Sequence, residues 1–428
     1  MKTNYHDLLS HIALPAFVKV KYRIPDRQLT NLPKEIHKAI VEAEVLDRIK
    51  EGMRIAVTAG SRHMAEYPIL LKALIEELKV AGAEVFLVPA MGSHGGATAE
   101  GQTAILRSYG ITEETMGVPI YSSMETVSLG KAENGMEVRM DRYAYEADGI
   151  VVFNRVKAHT GFRGPVESGL MKMITIGLGK QHGANICHSR PPEEMSKNIH
   201  TIASFCIAHS PILFAVGIVE NANHQVYGIK AIKAEELWKE EPKLLEEAKR
   251  HMPRIPFAKA DVLFVDEIGK DIAGEGMDPN ITGRSFFIGE KEPYFESIAV
   301  LDITDASEGN GTGIGNADVI SGRAFDKFRM DMVYPNCITS RDSRSTKLPV
   351  TMPCDKLALQ FALQICYGID DSRGPRIVWI KNTLCLDTFY ISEALVEEAR
   401  MNPDLEIAGE LQEINFDHAG NVIEHNYD

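Results

Sequence analysis

The sequence predicts an α/β protein built as two lobes with mostly parallel sheets and an active-site cleft between them. Three observations carry this expectation. From Met53 onward, short apolar runs alternate with amphipathic stretches, the pattern of βαβ units. The same alternation resumes beyond residue 260. The 428 residues, 44% of them apolar, exceed what one hydrophobic core usually covers, so the expected division is an N-terminal domain over 1–260 and a C-terminal α/β domain over 261–428.

Taken in order, MRIAVTAG reads as a buried strand, HMAEYPILLKALIEELKVAG as an amphipathic helix and AEVFLVPAMG as a second strand. SHGGATAEGQTAILRSYG is a loop leading into a helix. VPIYS, a hairpin around GKAENGMEVRM and the strong strand GIVVFNRV follow. A helix is expected over 193–209, then the buried strand PILFAVGIVEN. Residues 231–259 form a charged helical stretch ending in two prolines, which reads as a domain connector. Beyond it, DVLFVDEIG, SIAVLDIT and RIVWIKN read as strands, ADVISGRAFDKF and CDKLALQFALQICYG as helices, and EIAGELQEINFDHAGNVIEHN as a terminal hairpin.

A formal net charge of -14 with no long Lys/Arg block argues against nucleic-acid partners, which need a basic surface to track phosphates. The start, MKTNYHDLLSHIALPAF, lacks a basic segment followed by a continuous apolar one, and no window reaches eighteen uninterrupted apolar residues. No membrane association and a cytoplasmic location are therefore expected. Six cysteines without a CxxC pair indicate reduced thiols rather than a disulfide framework or a zinc knuckle. A homo-oligomer is compatible with the sequence. GNGTGIGNAD does not satisfy G-x-G-x-x-G in any frame, and HExxH, GxxxxGK[ST] and GxSxG are all missing. His182 and His188 are spaced too loosely for a two-histidine zinc helix, although either can serve singly as a ligand.

Ligands of open α/β sheets sit beyond the carboxyl ends of the strands, so the loops after strong strands hold the candidates. TAGSRHM offers Arg62 and His63, and GSHGGATAE offers His94. NRVKAHTGFRGPVESG offers Lys157, His159, Arg163 and Glu167; GKDIAGEGMDPNITGR offers Lys270, Asp271, Glu275, Asp278 and Arg284. Any one of these can be a capping or core residue. Their recurrence after strand upon strand is what a site built from loop ends would show. Arg62, Arg163, Lys270 and Arg284 can hold a carboxylate locally on an otherwise acidic protein. SGLMKMITIGLGKQHG adds a puzzle, because Lys172 has aliphatic neighbours on both sides. It is either an amine sheltered for chemistry or a lysine that snorkels from a helix start.

These residues resemble the nickel-pincer lactate racemase superfamily over roughly residues 50–290. The family's GTHRPMTxEE loop is matched by GSHGGATAEG, which keeps Gly92, His94, Thr98 and Glu100. Its histidine followed by GFSGGAKxxxPGL is matched by His159, Gly161 and Phe162 and, after the insertion RGPVE, by SGLMKMITIGL, which keeps Ser168, Gly169, Lys172, Gly177 and Leu178. Its PKDxNLYQ loop is reduced to GKDIAGEGMD. The resemblance implies that the N-terminal domain is catalytic and that His94 and His159 are paired acid/base histidines on neighbouring strand ends. It further implies that Lys172 tethers a pyridinium-3,5-bisthiocarboxylic acid mononucleotide carrying nickel, with Gly92, Ser168 and Gly169 around that cofactor. His188 is the candidate nickel ligand, although CHSRPPEEM has no histidine in register with the family's NPVHED-like segment. Arg62, Lys270 and Arg284 are the candidates for the substrate carboxylate. The aspartate of the family's DxTRP loop is replaced by Ala59, and the tyrosine and glutamine of its substrate loop by residues around Glu275 to Asp278. The implied substrate is therefore a small anionic 2-hydroxy acid, not specifically lactate.

The implied activity is racemisation or epimerisation of that acid by proton-coupled hydride transfer. A hydride route avoids a carbanion that has no electron sink. Two other classes remain open from the residues alone: a metal-free protein of the same fold that binds an anionic metabolite, and a different metal-dependent enzyme using the same histidines.

Overall fold

The computed structural model describes residues 4–286, 289–370, 372–423 and 425–427. The chain forms two compact units, Pro25–Met252 and a second made of Met1–Ile24 with Pro253–Asp428. This differs from a single cut at residue 260 because of strand β1 (Phe17–Tyr22), which pairs antiparallel with two strands near the end of the chain. Phe17, Val18 and Val20 are buried in that unit's core. The run FVKVKY alternates apolar and lysine positions as a half-buried strand does, yet it lies outside the strands expected from the sequence.

The Pro25–Met252 unit contains β2 (Arg54–Ala59), β3 (Glu84–Pro89), a hairpin of β4 (Thr126–Lys131) and β5 (Glu137–Asp141), β6 (Gly149–Arg155), β7 (Ile212–Glu220) and β8 (Val226–Lys233). Its main sheet has the order β3-β2-β6-β7-β8, with four parallel strands and β8 antiparallel at one edge. Both faces are covered, which is why the strands read as continuous apolar runs. Val152 joins one core layer with Leu170, Ile199 and Leu244, while Val151 and Phe153 point to the other layer with Leu71 and Leu74. The stretch read as a connector over 231–259 is instead the end of β8 and a helix, Leu237–His251, that buries Leu237, Leu244, Leu245 and Ala248. Apart from the buried Glu241, its charged residues lie mostly away from that apolar face, so an amphipathic core helix looked like a solvated linker.

The other unit contains β9 (Lys259–Ile268), a short hairpin of β10 (Arg284–Ser285) and β11 (Gly289–Glu290), β12 (Tyr294–Ile303), β13 (Val319–Ser321), β14 (Val350–Met352), β15 (Ile377–Ile380), β16 (Thr388–Ser392) and β17 (Leu405–Ile407). Its sheet runs β14-β13-β12-β9-β15-β16-β1-β17, parallel through the first five strands and antiparallel through the last three. ADVISGRAFDKF opens with β13 before its helix begins at Gly322. In the expected terminal hairpin, Leu405–Ile407 pairs with β1, and a single bridge joins Phe416 to Val422; Glu424 lies outside the described residues. Among the described residues no helix is long and apolar enough to cross a membrane. The fold is thus α/β with mostly parallel sheets.

Candidate active site

In the Pro25–Met252 unit the chain passes from β2 to β3 on one side and then crosses to β6 on the other. The loops leaving β2 and β6 therefore diverge at a topological switch point, where open α/β sheets bind ligands. His94 follows β3 and His159 follows β6, with β2 between them, so their strands are not the neighbours the sequence suggested.

The loop after β2 is tied down by tyrosines. Gly60 N–H donates to the Tyr67 hydroxyl at 2.7 Å, and the Tyr109 hydroxyl donates to Ser61 O at 2.8 Å. Arg62 lies in this loop, its guanidinium held below its ordinary value by desolvation and by Arg155, against an opposing effect of Tyr109. Ala65 N–H donates to Glu220, the ion-pair partner of Arg155, which joins this loop to the ends of β6 and β7.

The loop after β3 turns at Gly92, whose φ is +59° and where a Cβ would lie 3.0 Å from Ile176 Cγ2. Glycine is required there by backbone conformation and close packing. His94 is exposed, and its Nδ1 hydrogen-bonds the Ser61 hydroxyl. From behind, the buried Gln102 amide donates to the carbonyls of Gly92 (3.0 Å) and His94 (3.3 Å). Lys180, fully buried, reaches Gln102 Oε1 and Pro89 O and pairs with the equally buried Asp141 at 3.1 Å. None of Ser61, Gln102, Asp141 and Lys180 was singled out from sequence. Lys180, a second lysine in the run that holds Lys172, was the available signal.

The loop after β6 grips His159 from three sides. Its N–H donates to Glu167 at 2.7 Å, Gly161 N–H donates to its Nδ1 at 2.9 Å, and the Phe162 ring stacks on it at 4.1 Å between centroids. Glu167 is itself buried and paired with Lys249 (2.6 Å) and Arg163 (3.7 Å). A neutral His159 accepting at Nδ1 carries its proton on Nε2. Desolvation first, then the charges of Lys172, Lys157, His188 and Arg163, hold its pKa well below the ordinary 6.5. The four groups acting on it place Lys172 and His188 in the same neighbourhood as His159.

Lys172 ends a short turn of helix, Leu170–Lys172, that widens into a π-helical turn, Met173–Gly177. That turn packs against the exits of β2 and β3: a Cβ on Gly60 would touch Met173 Cε at 3.0 Å, and Gly92 N–H reaches Gly177 O at 3.3 Å. The ammonium lies 5.9 Å from the Phe162 ring centroid. Desolvation, with Arg62 and Lys157 adding repulsion, lowers Lys172 to about 7, while Cys187 opposes the shift. Upstream, Ser168 exchanges backbone hydrogen bonds with Lys157, at 2.8 and 3.2 Å. Gly169 leaves room for the Glu241 carboxylate, which a Cβ would overlap. His188 caps the helix Lys180–Cys187. Among the described residues, no group of three or more His, Cys, Asp or Glu converges as a protein-only metal centre would require.

Lys270 and Arg284 belong to the other unit. The Lys270 ammonium donates to Gly274 O. Arg284 pairs with Asp318 and donates to the carbonyls of Phe295 and Glu296, so its guanidinium is engaged in structural contacts within its own unit.

Residues 17–196 match the family model described as the lactate racemase N-terminal domain. No curated protein matches the chain. Among solved structures, it resembles a protein from Thermotoga maritima at 14% identity and a TM-score of 0.49, over 65% of this chain and 72% of that one. It also resembles the lactate racemase apoprotein from Thermoanaerobacterium thermosaccharolyticum at 14% identity and a TM-score of 0.46, over 91% of this chain and 97% of that one. Residues 17–196 of the chain are thus similar to the lactate racemase N-terminal domain.

Proposed function

We propose that the chain is a cytoplasmic racemase or epimerase of a small anionic 2-hydroxy acid, acting by proton-coupled hydride transfer with a nickel-pincer nucleotide tethered to Lys172. The observation that carries this reading is an amine lowered to about 7 in the company of His159, within a lactate racemase N-terminal domain.

The residues fit such a group. Acylation requires a neutral amine, and Lys172 is held where a large fraction is neutral at physiological pH. His188 offers one imidazole in the same neighbourhood, and a metal whose other ligands belong to the nucleotide needs no further protein ligand. When bound, the group supplies a hydride acceptor. The chain does the rest. Arg62 and Lys157 both repel the Lys172 ammonium, a surplus of positive charge that an anionic ligand relieves. Arg62 is our choice for the substrate carboxylate. Both histidines are anchored through Nδ1, so we assign contact with the substrate oxygen to Nε2: on His94, whose Nδ1 can donate to Ser61, it is free to take a proton, whereas on neutral His159 it carries one and donates. In one direction a ring with a free Nε2 takes the hydroxyl proton as the keto acid forms, and a ring on the other side, already protonated, gives a proton of its own to the carbonyl oxygen when the keto acid is reduced on its opposite face.

The test is the intact mass and elemental analysis of protein purified from its native source. A nucleotide-sized adduct on Lys172 with nickel is expected, and Lys172→Arg should lose the adduct and the activity, because a guanidinium keeps the charge but is not acylated. Active native protein with neither adduct nor nickel would remove the racemase reading in favour of another enzyme. Inactive, metal-free protein that binds a hydroxy acid would favour a binding role.

A further inference from the structure

We infer that Glu241 is a positioning residue for Lys172, holding from the Leu237–His251 helix the backbone that carries the amine into the site. The proposal rests on the reading above only in taking Lys172 as the reactive amine.

Glu241 is 1% exposed, in the middle of a helix whose other buried residues are leucines and an alanine. Its Oε2 accepts from Met171 N–H at 2.8 Å, and the Leu170 N–H also stabilises the carboxylate. These are amides of the first helical turn before Lys172, which have no partner within their own helix. Gly169, just ahead, is packed so closely that any side chain would overlap Glu241 Oε1. On the opposite side, Asn154 at the end of β6 donates to Gly169 O at 3.0 Å. The residues before Lys172 are thus clamped between a strand and a helix distant in sequence. The amine's position follows from that clamp.

Stability alone does not account for this carboxyl. Burial pushes it up to about 7, so the group is costly to keep, and among the described residues no cation forms an ion pair with it. A methionine would fill similar volume without the desolvation cost. What it would not do is accept two backbone N–H groups and fix where the turn starts.

The test uses apoprotein, so the cofactor does not enter it. The rate of Lys172 acetylation by acetic anhydride is measured against pH by peptide mass spectrometry, beside the melting temperature. In wild type the rate should reach half its plateau near pH 7. In Glu241→Ala the turn loosens, the amine gains water, and the midpoint should rise by about one pH unit or more. Gly169→Ala, which drives the carboxylate aside, should shift it similarly, and the double variant should shift it no further than either single one. If Glu241→Ala does not fold, the isosteric Glu241→Gln takes its place, with an upward shift again expected. A lower melting temperature with the midpoint unchanged would make Glu241 merely structural and overturn the proposal. Failure of the cofactor reading has a different signature, an unmodified Lys172 in native protein, and leaves these midpoints as they are.

Discussion

The two histidine loops of the Pro25–Met252 unit present the same side chain in opposite settings. After β3, His94 stands exposed, oriented by the Ser61 hydroxyl and supported from behind through its own carbonyl by Gln102. After β6, His159 is enclosed, with Glu167 on its N–H, Gly161 on Nδ1 and Phe162 on its face, among cations that disfavour its protonation. The difference teaches that residue type supplies the capacity to exchange protons, while the surroundings decide which nitrogen carries one and at what pH. A pair built this way is asymmetric.

The comparison breaks most sharply if either ring is dispensable. His94→Ala and His159→Ala should each lower racemisation by about 10²–10⁴-fold in both directions, the usual contribution of a positioned acid or base. Near-normal turnover in one variant, with circular dichroism unchanged, would reduce the pair to a single residue.

The support behind His94 gives the next largest effect. Lys180→Met leaves Asp141 buried and uncompensated, and should cost about 3–5 kcal/mol in denaturant unfolding. Lys180→Met combined with Asp141→Leu should recover most of that stability yet still slow turnover, since Pro89 O and Gln102 lose the ammonium that braces the loop. Full activity in the stable double variant would show that the pair does not hold His94.

The smallest effect sharpens the account of His159. Its folded pKa lies below 6.5, so as pH falls through 6.5 the unfolded chain binds a proton that the folded chain refuses. The resulting stability is present above that pH and lost progressively below it. His159→Gln should flatten this part of the pH–stability curve, and the His159 ring should show no NMR titration between pH 7.5 and about 6. A midpoint near 6.5 would contradict its enclosure.

Much of this was legible in the sequence. The strands of the parallel sheets announced themselves as apolar runs, the loops behind them yielded His94 and His159 by position, and Lys172 stood out by its aliphatic neighbours. Other elements were lost: β1 stands far in sequence from the strands it pairs with, and β8 and β13 were absorbed into neighbouring helical stretches. The residues that brace the site were lost for a different reason. Gln102 meets Lys180 and Glu241 meets Met171 across 78 and 70 residues of chain, distances over which no local period operates. Glu241 also stands in a charged run, where it looks like part of a solvated face.

The central claim is that the substrate carbon is inverted by hydride transfer in this chain, and one labelling measurement tests it most directly. Cofactor-loaded protein is given single enantiomers of small 2-hydroxy acids deuterated at Cα, in ordinary water, and the opposite enantiomer is isolated. A hydride route predicts a product that retains its deuterium. Washout of the label to solvent would establish proton abstraction at Cα and contradict the mechanism, and failure to invert any acid in the panel, with nickel and adduct present, would contradict the assignment of a 2-hydroxy acid racemase.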